Sequence, residues 1–213
     1  MEIFSSLIAL ACIGLVGLSA GAAVWVYLPY LKDTSKYTIT ALCNLSVGIA
    51  RAAIKVHGLP PTTKAYGSPQ GLADDPEIDL MICSIRVDRH YETIVSSLRA
   101  KNYFFCKWPL EKDLAEAQEM EEIAKSKGVR TMVGLQVWQS PFVNKVEEIV
   151  ESGQIEKVLS TTFVGNPGFF GLNEPEFVAY TQDKKIGDQL LYALYVPLST
   201  FNIYLNPNLI CSL

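Results

Sequence analysis

The sequence lacks the residues that most metal and disulfide proteins need. Its 213 residues include two histidines, and its five cysteines form no Cys-x-x-Cys pair. A histidine-rich metal site is therefore excluded, and the cysteine spacing is not that of a zinc site or a disulfide framework. Most of the cysteines lie within apolar runs. This arrangement is typical of free thiols buried in a reducing compartment, so we expect a cytoplasmic or nuclear protein.

The chain also lacks an excess of basic residues. It has 18 Lys and Arg against 22 Asp and Glu, a net charge of −4. Direct binding to nucleic acid needs clustered positive charge to neutralise phosphates, so we do not expect it. Apolar residues make up 49% of the chain. This share is enough for a substantial core and argues against disorder.

No charged residue occurs from Ile3 to Leu31. The run from Leu7 to Leu28 has the length of a membrane helix, which needs about twenty apolar residues. A signal peptide is not expected, because the only early charge is that of Glu2 and a basic n-region is missing. The competing interpretation is a buried strand, a glycine turn and a helix. The rest of the chain favours the second interpretation, so a membrane anchor is the minority hypothesis.

Apolar periodicity predicts alternating strands and helices. Strands are predicted at 12–16, 37–43, 64–66, 79–84, 103–106, 130–137 and 157–164, and helices at 20–31, 46–57, 89–100, 111–127 and from Pro141 to about Gly153. In the last helix, Phe142, Val146, Ile149 and Val150 are expected to face the core. Such alternation predicts an α/β fold with a doubly wound parallel sheet. Ligands bind such sheets at the carboxyl ends of the strands.

The turn after the first strand resembles a dinucleotide fingerprint. In GLSAGA, Gly17 occupies the first glycine position of G-x-G-x-x-G/A, Ser19 replaces the second, and Ala22 fills the third. The first glycine permits a tight turn, and the amides at the start of the next helix attract phosphate. We therefore expect Gly17, Leu18, Ser19 and Ala20 to contact a dinucleotide.

Asn44 ends the second predicted strand, where such folds place an acidic residue that binds ribose hydroxyls. An amide binds ribose without repelling a 2′-phosphate, so the expected cofactor is NAD or NADP with no strict preference for NAD. The alternative is that Asn44 is only a turn residue at the strand end.

Three later segments carry a resemblance to a known family. The segments are ICSIRVDRHYETI, NYFFCKWPLEKDLAEAQ and VRTMVGLQVWQSPFVNKVEEIVESGQIEKVLS. They resemble, in order, the glucose–fructose oxidoreductase and inositol dehydrogenase (Gfo/Idh/MocA) family, and in particular a fungal branch similar to the galactose-regulon repressor. The similarity covers about residues 12–163 and continues more weakly to Leu205.

The resemblance implies a Rossmann domain over residues 12–138, preceded by an unexplained apolar lead at 1–11. Residues 139–213 would form a linker helix and an incomplete C-terminal α+β domain with a truncated sheet. Enzymes of the family use NAD or NADP to transfer a hydride to or from sugars, polyols and related compounds.

The resemblance also implies that Ser84, Ile85 and Arg86 line the nicotinamide side of the pocket. His90 matches a histidine that the family often has at the next helix start; the alternative is a polar helix end without a role. The family's catalytic Glu-Lys-Pro motif is Lys107-Trp108-Pro109 here, with a Trp–Pro bond that can be cis.

Trp108 thus takes the place of the catalytic lysine, as in the regulatory branch. Lys107, one position earlier in an extended segment, points to the opposite face and does not simply substitute. Both Lys107 and Trp108 are expected next to the cofactor. The family's second catalytic residue, a histidine, would fall near Pro197, and no histidine follows His90.

Four hypotheses follow from the sequence. The first is a dinucleotide-binding regulator without the usual catalytic pair, which acts through a protein partner and can form a homo-oligomer. The second is an active NAD(P)-dependent oxidoreductase that uses Lys107 or Tyr192. The third is a membrane-anchored protein, and the fourth is a nonfunctional fragment.

Overall fold

The computed structural model describes residues 11–18, 23–135, 140–160, 183 and 185–186. The chain divides into two compact units, Met1–Gly134 and Leu135–Leu213. The first unit contains every strand described below. Most of the predicted C-terminal domain lies outside the described residues, and its boundary at residue 138 stays a prediction.

The first unit is built on a six-stranded sheet with the order β3-β2-β1-β4-β5-β6. Every neighbouring pair of strands is parallel. The strands are Ala11–Val16 (β1), Tyr37–Cys43 (β2), Lys64–Tyr66 (β3), Leu80–Cys83 (β4), Tyr103–Lys107 (β5) and Thr131–Gly134 (β6). This order is that of a Rossmann sheet, so the doubly wound α/β prediction is confirmed.

The central strands are apolar on both faces, because each face is covered by its own core. Along β4, Met81 and Cys83 belong to one buried cluster and Ile82 to the other. In β5, Phe104 and Cys106 face the first cluster, while Phe105 packs against the second. Alternate residues of a strand point to opposite faces, which explains why these runs are continuously hydrophobic.

Helices connect the strands. They are a π-helical turn at Ala23–Tyr27 leading into Leu28–Asp33 (α1), Val47–Val56 (α2), Pro69–Ala73 (α3), His90–Arg99 (α4, preceded by a 3-10 turn at Val87–Arg89), Leu114–Lys127 (α5) and, in the second unit, Pro141–Glu151 (α6). The side chains of Ser46, Ser68, Asp113 and Ser140 each accept a hydrogen bond from an amide in the first helical turn. Gly128 ends α5 in the left-handed conformation.

Four predicted elements need correction. The first helix, predicted at 20–31, runs to Asp33 and begins in its described part with a π turn; residues 20–22 lie outside the described ranges. Helix α5 starts at Leu114 rather than 111, because Asp113 caps it. Of the strand predicted at 130–137, the described residues form a strand at Thr131–Gly134, and 136–137 lie outside the described ranges. Residues 157–160 are not in a strand and are mostly exposed, and 161–164 lie outside the described ranges. The short helix α3 was not anticipated.

The buried face of α6 also differs from the prediction. Phe142 is 67% exposed, whereas its neighbour Val143 is 4% exposed. Val143, Val146 and Val150 are spaced i, i+3 and i+7 and share one face of the helix, whereas Phe142 lies beside that face.

No helix within the described ranges is long and apolar enough to cross a membrane. Part of the predicted membrane span, Ala11–Val16, instead forms strand β1 between β2 and β4.

Phe104 and Phe142 test the assignment of the core. Phe104 is 1% exposed within the cluster beneath β4 and β5. Phe104→Ala should reduce the free energy of unfolding by about 3–5 kcal/mol, because it removes buried apolar surface and leaves a cavity. The same change at the exposed Phe142 should cost less than about 1 kcal/mol. Equal losses in urea unfolding would contradict this burial pattern.

Candidate functional site

Four strands end at the same level and form one edge of the sheet. Val16 is in register with Cys43 on one side and with Cys83 on the other, and Cys83 is in register with Cys106. The segments that follow these residues therefore meet at this edge. The chain adds β2 and β3 on one side of β1 and then β4, β5 and β6 on the other side. This change of direction between β1 and β4 creates the crevice where such folds bind ligands.

Gly17 makes the turn at the centre of this crevice. Its φ is +83°, and a Cβ atom built there would lie 2.2 Å from Ile85 Cγ2 and 2.9 Å from Ser84 O. The Gly17 amide donates a hydrogen bond to Cys43 O at 3.1 Å, which fixes the turn against β2. Only glycine fits this backbone, as expected for the first position of the fingerprint.

Of the other residues of the predicted turn, Leu18 alone lies within the described part of the chain. Leu18 is fully buried and packs in the cluster that includes Ile13 and Leu15, so a ligand contact from Leu18 can involve only its backbone. Ser19, Ala20 and Ala22 lie outside the described residues.

Asn44 and Ser84 flank Gly17 on the two neighbouring strand ends. Asn44 Oδ1 accepts a hydrogen bond from the Leu45 amide at 2.9 Å. Asn44 Nδ2 and Ser84 Oγ are buried and have no hydrogen-bond partner within the described part of the chain. A buried polar atom without a partner costs about 1–3 kcal/mol. Two such atoms on either side of the glycine turn fit a crevice that receives a polar ligand.

The two residues Ile85 and Arg86, which follow β4, make different contacts. Ile85 packs against Gly17, as described above. Arg86 forms an ion pair with Asp88, with both nitrogen–oxygen distances at 3.1 Å, and its side chain is 44% exposed. Arg86 therefore lies at the rim of the crevice, where its guanidinium is paired with the Asp88 carboxylate.

The imidazole of His90 is occupied by contacts within the protein, and its predicted cofactor contact stays a prediction. The ring is fully buried; Nδ1 lies 2.9 Å from Leu110 O, and Nε2 lies 3.1 Å from Ile85 O. Burial lowers the pKa of His90. The imidazole thus joins the loop after β4 to the loop after β5, and His90 is the first residue of α4.

The segment after β5 carries Lys107, Trp108 and Pro109. The Trp108–Pro109 peptide bond is cis. Lys107 is partly buried, and this burial lowers its pKa. Sequence reasoning missed Glu111, which follows in the same loop: burial raises its pKa to about 7, and its Oε2 is buried with no hydrogen-bond partner among the described residues. No spacing signal in the sequence marks Glu111.

A glycine turn lies at the reversal point of a Rossmann sheet, between two buried polar atoms that have no partner among the described residues. This arrangement is that of a nucleotide-binding domain. Residues 12–135 match the family model described as "Oxidoreductase family, NAD-binding Rossmann fold", and the chain belongs to this family.

Similar proteins include both enzymes and regulators. The chain is 34% identical to a dehydrogenase, aclE, of Aspergillus oryzae over 74% of this chain and 44% of that protein. It is 31% identical to the galactose/lactose metabolism regulatory protein GAL80 of Saccharomyces cerevisiae over 76% of this chain and 39% of that protein. The chain thus spans less than half the length of these two relatives.

The solved structures that resemble this chain also include a regulator and an enzyme. The crystal structure of a super-repressor mutant of Gal80p from Saccharomyces cerevisiae matches 92% of this chain and 53% of its own, with a TM-score of 0.81 and 25% identity. KijD10, a 3-ketoreductase from Actinomadura kijaniata solved with NADP, matches 69% of this chain and 45% of its own, with a TM-score of 0.60 and 22% identity, and so supports the fold alone.

Gly17→Ala tests the geometry of the turn. The left-handed φ costs about 1–2 kcal/mol for an L-residue, and the contact with Ser84 O adds to that cost because the backbone of the next loop must move. The control is Gly128→Ala, where φ is +65° but nothing lies within 4 Å of the added Cβ. Gly17→Ala should lower the unfolding free energy more than Gly128→Ala. Equal losses would mean that the close approach to Ile85 and Ser84 is not a constraint.

Proposed function

We propose that this chain binds NAD or NADP at the carboxyl edge of β1, β2, β4 and β5, and that it acts as a regulator through a protein partner, without hydride transfer. The observation that carries the regulatory part is Trp108, which stands before cis-Pro109 at the end of β5, where the family's motif has its catalytic lysine. A regulator of this kind works in the cytoplasm or the nucleus.

The binding part rests on the crevice itself. The Gly17 turn permits backbone close to a pyrophosphate, and Asn44 Nδ2 supplies a buried donor for the adenosine ribose. Ser84 Oγ, Ile85 and the rim residue Arg86 border the other half, toward the nicotinamide. When bound, the cofactor would supply a ring that can accept or donate a hydride.

The regulatory part rests on what Trp108 and Lys107 can do. A general acid or base must gain and lose a proton near the working pH, and an indole does not. Lys107 is adjacent in an extended segment, and neighbouring side chains of such a segment point to opposite faces. Lys107 therefore does not take over the position of the missing lysine. The identity to a regulatory protein, GAL80, supports the same interpretation.

A second candidate is an active NAD(P)-dependent oxidoreductase. Two observations favour it: the relative that is named a dehydrogenase, and the lowered pKa of Lys107. Burial moves an ammonium toward the pKa range in which a lysine can exchange protons. In this alternative, Lys107 would hold or release the proton of a substrate hydroxyl.

A turnover assay separates the two candidates. The protein is mixed with NAD or NADP and a panel of sugars and polyols, and reduced nicotinamide is followed by its absorbance. We expect binding of the cofactor, measured by calorimetry, with no substrate-dependent reduction. Turnover that is lost in Lys107→Ala and retained in Lys127→Ala, an exposed control, would reject the regulatory proposal and support the dehydrogenase.

Asn44→Asp tests the placement of the ribose. A carboxylate at this position repels a 2′-phosphate, so affinity for NADP should fall about tenfold more than affinity for NAD, equivalent to ~1.4 kcal/mol. Asn144→Asp, on the exposed surface of α6, adds the same charge elsewhere and should leave the ratio unchanged. An unchanged ratio in Asn44→Asp would remove Asn44 from the cofactor site.

A further inference from the structure

Three potential metal ligands meet beneath the carboxyl edge, inside the core. Cys83 ends β4, Cys106 lies opposite it in β5, and His90 begins α4. All three residues are buried, and their two sulfur atoms and a ring nitrogen lie within 4.8 Å of one another. Cys106 Sγ is 3.3 Å from His90 Nδ1. The cofactor crevice described above uses none of these side chains.

A neutral His90 ring cannot donate a hydrogen bond to both of the carbonyl oxygens that its nitrogens face. Both ring nitrogens face carbonyl oxygens, Nδ1 that of Leu110 and Nε2 that of Ile85. A neutral imidazole carries one proton, so either tautomer points one lone pair at a carbonyl oxygen. The doubly protonated ring would satisfy both contacts, but it would place a positive charge in the core, where the ring is fully buried. With the proton on Nε2, Nδ1 can accept the Cys106 thiol proton at 3.3 Å, and only the approach of Leu110 O to Nδ1 is then left without a proton between the two atoms.

We propose that Cys83 Sγ, Cys106 Sγ and His90 Nδ1 bind one Zn²⁺ ion. Thiolate and imidazole are the preferred zinc ligands, and structural zinc sites take four of them in a tetrahedron. Leu110 O, 2.9 Å from Nδ1, is within reach of the fourth position. Tetrahedral zinc would hold these two atoms about 3.3 Å apart, so Leu110 O moves outward by about 0.4 Å and its lone pair then meets the metal instead of the Nδ1 lone pair.

The remaining ring nitrogen has the partner that a zinc-bound histidine needs. With Nδ1 on the metal, the proton sits on Nε2 and is donated to Ile85 O at 3.1 Å. Metal-binding histidines characteristically donate their second N–H to a backbone carbonyl or a carboxylate, which fixes the ring orientation. The contact with Ile85 therefore supports the site rather than competing with it.

The charges of the proposed site balance. Zn²⁺ displaces one proton from each thiol, so that two protons pass to solvent and two thiolates form. Two negative sulfurs and one divalent cation leave no net charge in the core, where an uncompensated charge is costly. Binding of the ion to this site is therefore coupled to the release of two protons.

Cobalt substitution tests the site directly. Because the ligand atoms are buried, the full chain is produced in medium that supplies Co²⁺ in place of Zn²⁺, then purified under reducing conditions. We expect one cobalt ion per chain, a thiolate-to-cobalt charge-transfer band and visible d–d bands typical of tetrahedral cobalt. Growth with Zn²⁺ should give one zinc ion per chain by elemental analysis.

Matched cysteine variants assign the ligands. Cys106→Ala should abolish the charge-transfer band, and Cys83→Ala should do the same. Cys43→Ala is the control, because Cys43 is buried at the end of β2 but lies outside the three-ligand cluster. Folded wild-type protein without bound metal would overturn the proposal, and the three residues would then be ordinary buried core. A band that persists in Cys106→Ala, or that is lost in Cys43→Ala, would overturn the ligand assignment. The cofactor assays are independent of each of these outcomes.

Discussion

The shared register of β1, β2, β4 and β5 is the constraint on which the rest of the structure depends. Val16 pairs with Cys43 and Cys83, and Cys83 pairs with Cys106, so four strands stop at one level. A parallel sheet aligned in this way presents all its strand-end loops along a single edge. Gly17 permits this alignment, because any side chain at that turn would strike Ile85 and Ser84.

This edge has two layers of different chemistry. Above the last paired residues lie polar groups that can meet a ligand, among them Asn44 Nδ2 and Ser84 Oγ. Below them lie the two thiols and the imidazole of His90, which connects the loop after β4 with the loop after β5. His90 therefore holds together the two segments that border the proposed nicotinamide side. The polar atoms above can bind a ligand reversibly. The contacts of His90 below hold the two loops in place.

Most of the sheet could be predicted from the sequence, because a strand buried on both faces has a continuous apolar run. The segment from Leu80 to Cys83 is such a run. Residues 157–160 have a strand-like composition too, but this signal says nothing about whether a partner strand is present. The glycine turn could be predicted because only glycine tolerates its backbone. By contrast, the burial of His90, the raised pKa of Glu111 and the grouping of Cys83 with Cys106 depend on contacts between distant segments. No local spacing encodes such contacts.

Binding of NAD or NADP at the carboxyl edge can be observed residue by residue in a nuclear magnetic resonance titration of the labelled protein. Each cofactor is added in turn while backbone amide shifts are followed. We expect the shifts to concentrate at Gly17 and Leu18, at Asn44, and at Ser84 to Arg86, with little change in α5. Absence of shifts at saturating cofactor, or shifts confined to residues away from this edge, would contradict it.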